Sequence, residues 1–218
     1  MPLIIRRKNL AYFPVPKIAC TSIKHMLHEM KTGEQFKPLT RPNGKTVFIH
    51  RLYSSVPFDE LPHAELAPLH KITIIRDPIA RFLSAYSNRV VHYRELSEEK
   101  CGPKLAAAGL QPDPDLTQFI DRFEDYIKTV QIINHHTLPM TTFLGTDAGY
   151  FDRVYDFSEL PQLEADMQAL TGTTVALPRK QTGGPKLRKS DLTPAQIDRI
   201  RAYYAADYAA FGSILKET

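Results

Sequence analysis

The sequence predicts an α/β protein in which helices cover a mainly parallel β-sheet. Short apolar runs alternate with stretches in which apolar residues recur at helical spacing. Leu10–Phe13 is the first such run, and it is followed by a helical stripe formed by Ile23, Met26, Leu27 and Met30. Lys71–Ile75 is the second, and it is followed by a stripe formed by Ile79, Phe82, Leu83, Tyr86 and Val90. β-Branched runs of this kind are typical of strands buried in parallel sheets.

The length and composition limit the class of protein. We predict one domain over residues 1–218, large enough for a sizeable core. The net charge of +4 suits anionic ligands. Cys20 and Cys101 make no disulfide framework, so we expect reduced thiols. No apolar run approaches the roughly 18 residues of a membrane span, and the N-terminal charges follow the apolar residues, which is the wrong order for a signal peptide. We therefore expect a cytoplasmic protein.

The turn between the first strand and the first helix has the properties of an anion site. Thr21 or Ser22 is predicted to cap the helix, which leaves backbone N–H groups of its first turn exposed. Those N–H groups, the helix dipole and the ammonium of Lys17 favour a phosphate or a sulfate. The glycines of the G-x-x-x-x-G-K-[ST] motif are missing, which disfavours an ordinary ATP or GTP hydrolase.

A second strand–turn–helix unit presents similar groups. Asp77 suits the N-cap of its helix, and Pro78 suits the first helical position. Arg76 lies just before this helix, whereas Arg81 is expected to form an ion pair or to lie on the helix surface. Ligands of parallel sheets bind beyond the carboxyl ends of the strands, so the two turns are expected to share a site.

The other segments are predicted from their breakers and caps. Thr46–His50 is predicted to be a strand with His50 at its end, and residues 53–70 to be irregular. Residues 95–114 contain glycines and prolines and are predicted to form a surface excursion, and residues 179–190 a mobile basic loop. Predicted later elements are a helix capped by Asp115 and ending near 130, a strand at 151–157, a helix capped by Ser158 and ending near 172, and a last helix opened by a capping box at 193–196.

Two motifs resemble those of PAPS-dependent sulfotransferases, especially the carbohydrate sulfotransferases. Pro16–Lys24 resembles their 5′-phosphosulfate loop, P-K-V-A-C-T-x-x-K, and Ile75–Tyr86 resembles their 3′-phosphate motif, R-D-P-x-x-R-x-x-S-A-Y. Weaker similarity continues through His136–Met140, Leu177–Thr182 and Tyr204–Gly212. Many animal members carry a membrane anchor; we expect this chain to lack one and to be a soluble, bacterial-like member.

The resemblance implies a P-loop-like domain that moves the sulfuryl group of PAPS to an acceptor hydroxyl, on a carbohydrate, and releases PAP. It implies that Lys17 contacts the bridging oxygen and that neighbouring residues bind the 5′-phosphosulfate, namely Ile18, Ala19, Cys20, Thr21, Ser22 and Lys24. Arg76 and Ser84 would bind the 3′-phosphate. A further loop would approach the cofactor with Lys180, Gln181 and Thr182. This scheme needs no metal, and we expect neither nucleic acid nor membrane as a partner.

A general base is needed because the acceptor hydroxyl loses a proton. His50 is the first choice, since histidine titrates near neutral pH and its position resembles that of the base in uronyl-type members. His136 is the alternative, and a structural role for His50 is equally compatible with the sequence. The basic residues of the 179–190 loop either bind an anion or are merely solvated. Two other functions stay open, a nucleotide-dependent phosphotransferase and a non-catalytic nucleic-acid-binding protein.

Overall fold

The structure, a computed structural model, describes residues 1–180 and 183–216. Contacts within the chain group these residues into two units, which are described separately. The first unit comprises the described residues of Met1–Arg76, Met140–Gln181 and Ala210–Thr218. The second comprises those of Asp77–Pro139 and Thr182–Ala209. That the whole chain is one domain stays a prediction.

The strands of the described residues all lie in the first unit. They are β1 (Leu3–Ile5), β2 (Leu10–Phe13), β3 (Leu39–Thr40), β4 (Thr46–Val47), β5 (His70–Ile75) and β6 (Arg153–Asp156). The main sheet has the order β1-β2-β5-β6, and β3 and β4 form a separate hairpin. β2 and β6 both run parallel to β5, whereas β1 is antiparallel to β2. The predicted α/β class with a mainly parallel central sheet is confirmed.

Helices connect most of these strands, and six helices of the described residues follow one another between β5 and β6. Those of the described residues are α1 (Cys20–Thr32), α2 (Ile49–Leu52), α3 (His63–Leu66), α4 (Pro78–Ala85), α5 (Glu98–Ala107), α6 (Leu116–Asp121), α7 (Phe123–Thr129), α8 (Gln131–Thr137), α9 (Thr141–Leu144), α10 (Leu160–Thr171), α11 (Pro194–Tyr203) and α12 (Ala205–Phe211). A π-helix, Tyr86–His92, continues α4, and short 3₁₀ turns join other elements. None of the described helices is long and apolar enough to cross a bilayer.

The first unit places two strand ends side by side. All four residues of β2 are buried, as predicted, and Phe13 pairs with Thr73 in the parallel register. The Thr73 hydroxyl donates a hydrogen bond to the Phe13 carbonyl at 3.0 Å. Since parallel strands present their carboxyl ends at one edge, the turn after β2 and the turn after β5 begin at the same edge. The predicted apolar stripe of α1 is buried and anchors that helix.

The predicted strand Thr46–His50 is wrong. Only Thr46–Val47 is extended and paired, within the β3–β4 hairpin, and Ile49–Leu52 forms the short helix α2. His50 therefore lies on a helix and not at the end of a strand of the main sheet. A short apolar run is compatible with either structure, and here the burial of Ile49 is achieved by a helical turn.

The second unit has its own hydrophobic core. Aromatic rings dominate it, with Phe82, Phe119, Phe123, Tyr126 and Tyr204 all nearly or fully buried. The predicted surface excursion at 95–114 is wrong, because α5 lies within it and contributes Cys101 and Leu105 to this core. Ser97 caps α5 by accepting from the Lys100 N–H. Two residues that usually interrupt helices, Gly102 and Pro103, lie inside this one, and because of them the sequence pattern did not predict a helix here.

Helix caps were predicted with mixed success. Asp115 and Thr193 both cap their helices as predicted, each through a capping box, although the helix after Asp115 breaks at Arg122 into α6 and α7. Ser158 is not a cap. It lies in a 3₁₀ turn that is capped by Asp156, and it donates its own hydroxyl hydrogen to the Asp156 carboxylate. The predicted end of α10 at Gly172 is confirmed.

Candidate active site

The turn between β2 and α1 has an unusual backbone. Lys17 and Ala19 both have positive φ, +69° and +48°, in a segment that contains no glycine. The left-handed region costs a residue with a Cβ roughly 1–2 kcal/mol. Residues in this region that alternate with right-handed ones turn successive N–H groups toward one side, which forms a concave anion site. The two strained residues therefore lie in the segment that would form the anion site.

The start of α1 lacks a side-chain cap. Ala19 is the N-cap residue, and its methyl group cannot accept a hydrogen bond. The first helical bond runs from the Ile23 N–H to the Ala19 carbonyl, so the N–H groups of Cys20, Thr21 and Ser22 precede the helical ladder. The prediction that Thr21 or Ser22 caps the helix is wrong, because the left-handed turn at Ala19 places both residues inside the first turn. The consequence is a helix start that can bind an anion through its backbone.

His50 lies between two residues of α1. Its Nε2 is 2.9 Å from the Thr21 Oγ1, and its Nδ1 is 3.1 Å from the Lys24 Nζ. Lys24 is 1% exposed, and burial lowers the pKa of its ammonium group. Thr21 and Lys24 are one turn apart on α1, so one imidazole bridges both side chains. His50 is thus positioned at the start of the helix that carries the anion cradle.

Arg76 connects the end of β5 to the cradle. Its guanidinium Nη1 donates to the Lys17 carbonyl at 3.4 Å, and the same group lies 4.6 Å from the centre of the Phe157 ring. A half-buried arginine beside a concave set of N–H groups adds fixed positive charge where an anion would bind. The sequence-based grouping of Arg76 with Lys17 is supported by this contact.

The 179–190 loop reaches α1 through Lys180. The backbone N–H of Lys180 donates to the Ser22 Oγ at 3.2 Å. The Ser22 oxygen is the acceptor in this bond, so its own hydrogen can be donated to another group. The charge of Lys180 helps to lower the pKa of His25, for which burial is the larger cause. Gln181 and Thr182, which were predicted to bind the cofactor, lie outside the described residues. The mobility of this loop stays a prediction.

Two other predicted site residues lie in the second unit. Ser84 is half-buried on α4. The alternative base, His136, has both ring nitrogens engaged, with Nδ1 2.8 Å from the Ile132 carbonyl and Nε2 2.8 Å from an Arg89 nitrogen. A carbonyl only accepts and a guanidinium only donates, so Nδ1 carries the hydrogen and Nε2 accepts from Arg89. Both ring nitrogens of His136 thus have partners within the second unit, and the choice between His50 and His136 as the base stays a prediction.

Arg81 does not lie on the surface of α4, which was one of the two predictions for it, whereas the other, an ion pair, stays a prediction. It is fully buried, and its guanidinium lies 6.0 Å from the centre of the Tyr204 ring, within the core of the second unit. Burial raises the pKa of Tyr204 above its usual range, and the charge of Arg81 acts in the opposite direction. The planar guanidinium suits such an aromatic neighbour. Arg81 thus belongs to the core rather than to the surface of α4.

A cleft of about 460 Å³ adjoins His50 in the first unit. Its lining includes three cationic residues that the sequence-based analysis did not assign to a site, Arg41, Lys45 and Arg51. The signal that could have found them is the Asn43-Gly44 turn, which places Arg41 and Lys45 on opposite arms of a hairpin. Arg51 follows His50 directly in the sequence.

The comparison with known families agrees with this geometry. The model of the family described as "Sulfotransferase family" matches residues 3–212, nearly the whole chain. The chain belongs to the sulfotransferase family. It is therefore a PAPS-dependent sulfotransferase, as its motifs predicted, and the phosphotransferase alternative is disfavoured. No curated protein and no solved structure matches the chain significantly.

The residues at the start of α1 fit the anionic groups of PAPS. The phosphosulfate needs several converging N–H donors and a cation, and the turn offers first-turn N–H groups, positive φ at two residues, and Lys17. Family membership implies PAPS as the donor, PAP as the product and a hydroxyl-bearing acceptor.

Proposed function

We propose that this sulfotransferase acts on a hydroxyl of a carbohydrate, by in-line transfer, with His50 as the general base. Sulfuryl transfer itself follows from family membership, whereas the acceptor and the residue roles are our proposal. The observation that supports it best is the position of His50, which is hydrogen-bonded to Thr21 and Lys24 at the start of α1. The resemblance of the Lys17 loop to that of carbohydrate sulfotransferases supports the choice of acceptor.

The donor site is proposed to combine backbone and side-chain groups. PAPS supplies the sulfuryl group and, in PAP, the leaving group. Lys17 and the first-turn N–H groups of α1 offset the negative charge that develops as the bond to the leaving oxygen lengthens. Thr21 and Ser22 add hydroxyl groups, and Arg76 with Ser84 holds the 3′-phosphate by charge-assisted hydrogen bonds. Lys180 is held beside Ser22 and contributes a further cation.

The role of His50 depends on its tautomer. A general base at Nε2 must have that nitrogen unprotonated, so the imidazole carries its hydrogen on Nδ1. The Nδ1–H then donates to Lys24, which must be a neutral amine. Burial lowers the pKa of Lys24 and so favours the amine. With a charged Lys24, Nδ1 would instead accept and Nε2–H would donate to Thr21. We propose that the first arrangement is the active one, in which the proton of the attacking hydroxyl moves to Nε2.

The cellular location is also part of the proposal. Cys20 and Cys101 are both free and buried, which is the state that a reducing compartment favours. This supports the cytoplasm as the location.

The base assignment is tested by sulfation of a panel of saccharides with PAPS. His50→Gln is expected to lower kcat by about 10²–10⁴-fold, the usual contribution of a general base, while PAP binding changes little. His70→Gln, which alters an exposed histidine of β5, is the matched control. Unchanged kcat in His50→Gln would contradict the assignment and move the test to His136→Gln. A wild-type enzyme that sulfates only phenols or amines would contradict the carbohydrate acceptor.

The donor site is tested by thermal unfolding with PAP, with ATP and without ligand. A ligand at about 100 times its Kd adds roughly 2.7 kcal/mol to the free energy of unfolding. We expect a rise in Tm with PAP that exceeds the rise with ATP and that Arg76→Ala removes. Arg6→Ala, on an exposed 3₁₀ turn, should retain it. A folded wild type that shows no shift with PAP would contradict the proposed donor site.

A further inference from the structure

We infer that Phe157 is a positioning residue of the donor site. Its ring holds the guanidinium of Arg76 in an orientation that suits the 3′-phosphate, and it thereby contributes to the preference for nucleotides that carry this phosphate. The inference rests on the proposed function, in which Arg76 binds the 3′-phosphate, and it adds a residue that acts through Arg76.

The register of the main sheet brings Arg76 and Phe157 side by side. The parallel strands β5 and β6 end at Ile75 and Asp156, and these two residues pair with each other. Arg76 and Phe157 come next in the chain, so both leave the sheet at the same level of its carboxyl edge. The guanidinium carbon of Arg76 lies over the Phe157 ring, 4.6 Å from its centre. This distance is within the limit of about 6 Å for the attraction of a cation to an aromatic face.

The 3₁₀ turn that carries Phe157 is held by side-chain hydrogen bonds on both sides of the ring. The buried carboxylate of Asp156 accepts from the Ser158 N–H at 2.9 Å and from the Ser158 Oγ at 2.6 Å. The Glu159 carboxylate accepts from the Asp156 N–H at 2.8 Å, which completes a capping box. Since these bonds fix the backbone around Phe157, the ring presents a defined face to Arg76.

The ring restricts the guanidinium without using its hydrogen-bond donors. A guanidinium has five N–H donors, all in its plane, and an aromatic face attracts its charge without accepting a conventional hydrogen bond. One of the donors, on Nη1 of Arg76, contacts the Lys17 carbonyl at 3.4 Å. Arg76 is thus held from two directions, by the ring of Phe157 and by the backbone of the strained turn. An arginine that is already oriented loses less side-chain entropy when a phosphate binds.

The orientation of Arg76 matters for a phosphate in particular. A guanidinium and a phosphate form two parallel hydrogen bonds, and this geometry requires that the plane of the guanidinium point at the anion. A nucleotide without a 3′-phosphate forms no such pair. The ring of Phe157 therefore contributes to the affinity for nucleotides that carry the 3′-phosphate and leaves the affinity for the others unchanged.

The test measures the affinities of PAP and of adenosine 5′-phosphate by calorimetry. These two nucleotides differ only in the 3′-phosphate. The proteins are the wild type, Phe157→Leu, Phe157→Tyr, Arg76→Ala and the double variant Phe157→Leu/Arg76→Ala. Phe157→Met, which also lacks a ring, replaces Phe157→Leu if that variant does not fold. Phe48→Leu is the matched control, since it changes an exposed phenylalanine at the N-cap of α2.

We expect Phe157→Leu to weaken PAP binding by about five- to tenfold and to leave the binding of adenosine 5′-phosphate unchanged. Phe157→Tyr keeps an aromatic face and should bind PAP within about twofold of the wild type. The double variant should bind PAP no more weakly than Arg76→Ala, because Phe157 acts through Arg76. Phe48→Leu should match the wild type with both nucleotides.

Equal losses of affinity for the two nucleotides in Phe157→Leu would overturn the inference, since the ring would then act on the nucleotide without the 3′-phosphate. An unchanged affinity for PAP in Phe157→Leu, or a further loss in the double variant, would also overturn it. In these cases a wild type that prefers PAP, with a preference that Arg76→Ala removes, leaves the proposed function standing. A wild type that binds both nucleotides equally would contradict the proposed role of Arg76 and the inference together.

Discussion

The starts of α1 and α4 look alike in sequence, but only α4 has a side chain that caps its first-turn N–H groups. Each follows a buried parallel strand and carries a basic residue in the preceding turn. At α4, Asp77 accepts from the Ala80 N–H at 2.9 Å and Pro78 removes one N–H altogether. At α1, Ala19 supplies no acceptor and the first turn keeps its N–H groups. One helix start has a side-chain cap, and the other has none.

This difference bears on which groups we propose to bind an anion near each helix. The carboxylate of Asp77 occupies the positive end of the α4 dipole, which disfavours the binding of an anion by the backbone there. Near that helix, our proposal therefore assigns the binding of a phosphate to side chains, those of Arg76 and Ser84. At α1 we propose that the backbone binds the anion, and the strained turn at Lys17 and Ala19 is the cost in free energy of that arrangement.

The largest effect is expected from Lys17. Lys17→Met keeps a residue with a Cβ at φ +69° and removes only the ammonium. We expect kcat to fall by about 10²–10³-fold, since removal of one preorganised donor to the leaving oxygen has that effect. Lys104→Met, on α5, should change nothing. Steady-state kinetics with PAPS measure both, and a fall in kcat of less than about threefold for Lys17→Met would contradict the role of this residue.

A smaller effect is expected at α4, the helix that Asp77 caps. Asp77→Ala removes the N-cap bond and the bond from the Tyr208 hydroxyl to the Asp77 Oδ2, which is 3.0 Å long. The free energy of unfolding should fall by about 1–2 kcal/mol, measured by urea denaturation. Asp77→Asn, which can still cap, should lose much less. If the two variants were equally destabilised, the capping account of α4 would be wrong.

The smallest effect concerns the pH dependence of stability. The pKa of Lys24 is lowered by burial in the folded protein, whereas a lysine in the unfolded chain has a pKa of about 10.4. Between these two values the unfolded chain binds more protons, so the contribution of Lys24 to stability becomes more favourable as the pH rises. The free energy of unfolding of the wild type, minus that of Lys24→Met, should therefore increase from pH 7 to pH 10. A constant difference would contradict a desolvated Lys24.

Much of the site was predictable because its residues follow strands with unambiguous patterns. The burial of β2 and β5, the cap at Asp77 and the grouping of Lys17 with Arg76 came from local periodicity and from the geometry of parallel strands. The left-handed turn at Ala19 was not predictable, because alanine gives no sign of positive φ. The sequence therefore suggested a hydroxyl cap where the structure has none.

Other parts depended on tertiary packing. Val47-Phe48-Ile49 reads equally well as a strand or a helix, and its division between β4 and α2 decides where His50 lies. Helix α5 contains Gly102 and Pro103, which local propensity disfavours, and the buried Cys101 and Leu105 compensate for them. The cationic cleft joins a hairpin to a helix, and such a juxtaposition has no signature in local sequence.

The most direct test of the central claim places a carboxylate at the N-cap of α1, as Asp77 does at the N-cap of α4. Ala19→Asp and Ala19→Asn differ only in charge, and both residue types tolerate the left-handed region better than most. If the backbone N–H groups at the start of α1 bind the anion, Ala19→Asp should weaken PAP binding by at least about tenfold in calorimetry, while Ala19→Asn stays within about threefold of the wild type. Equal affinity of the two folded variants for PAP would contradict the claim that the uncapped start of α1 is the anion site.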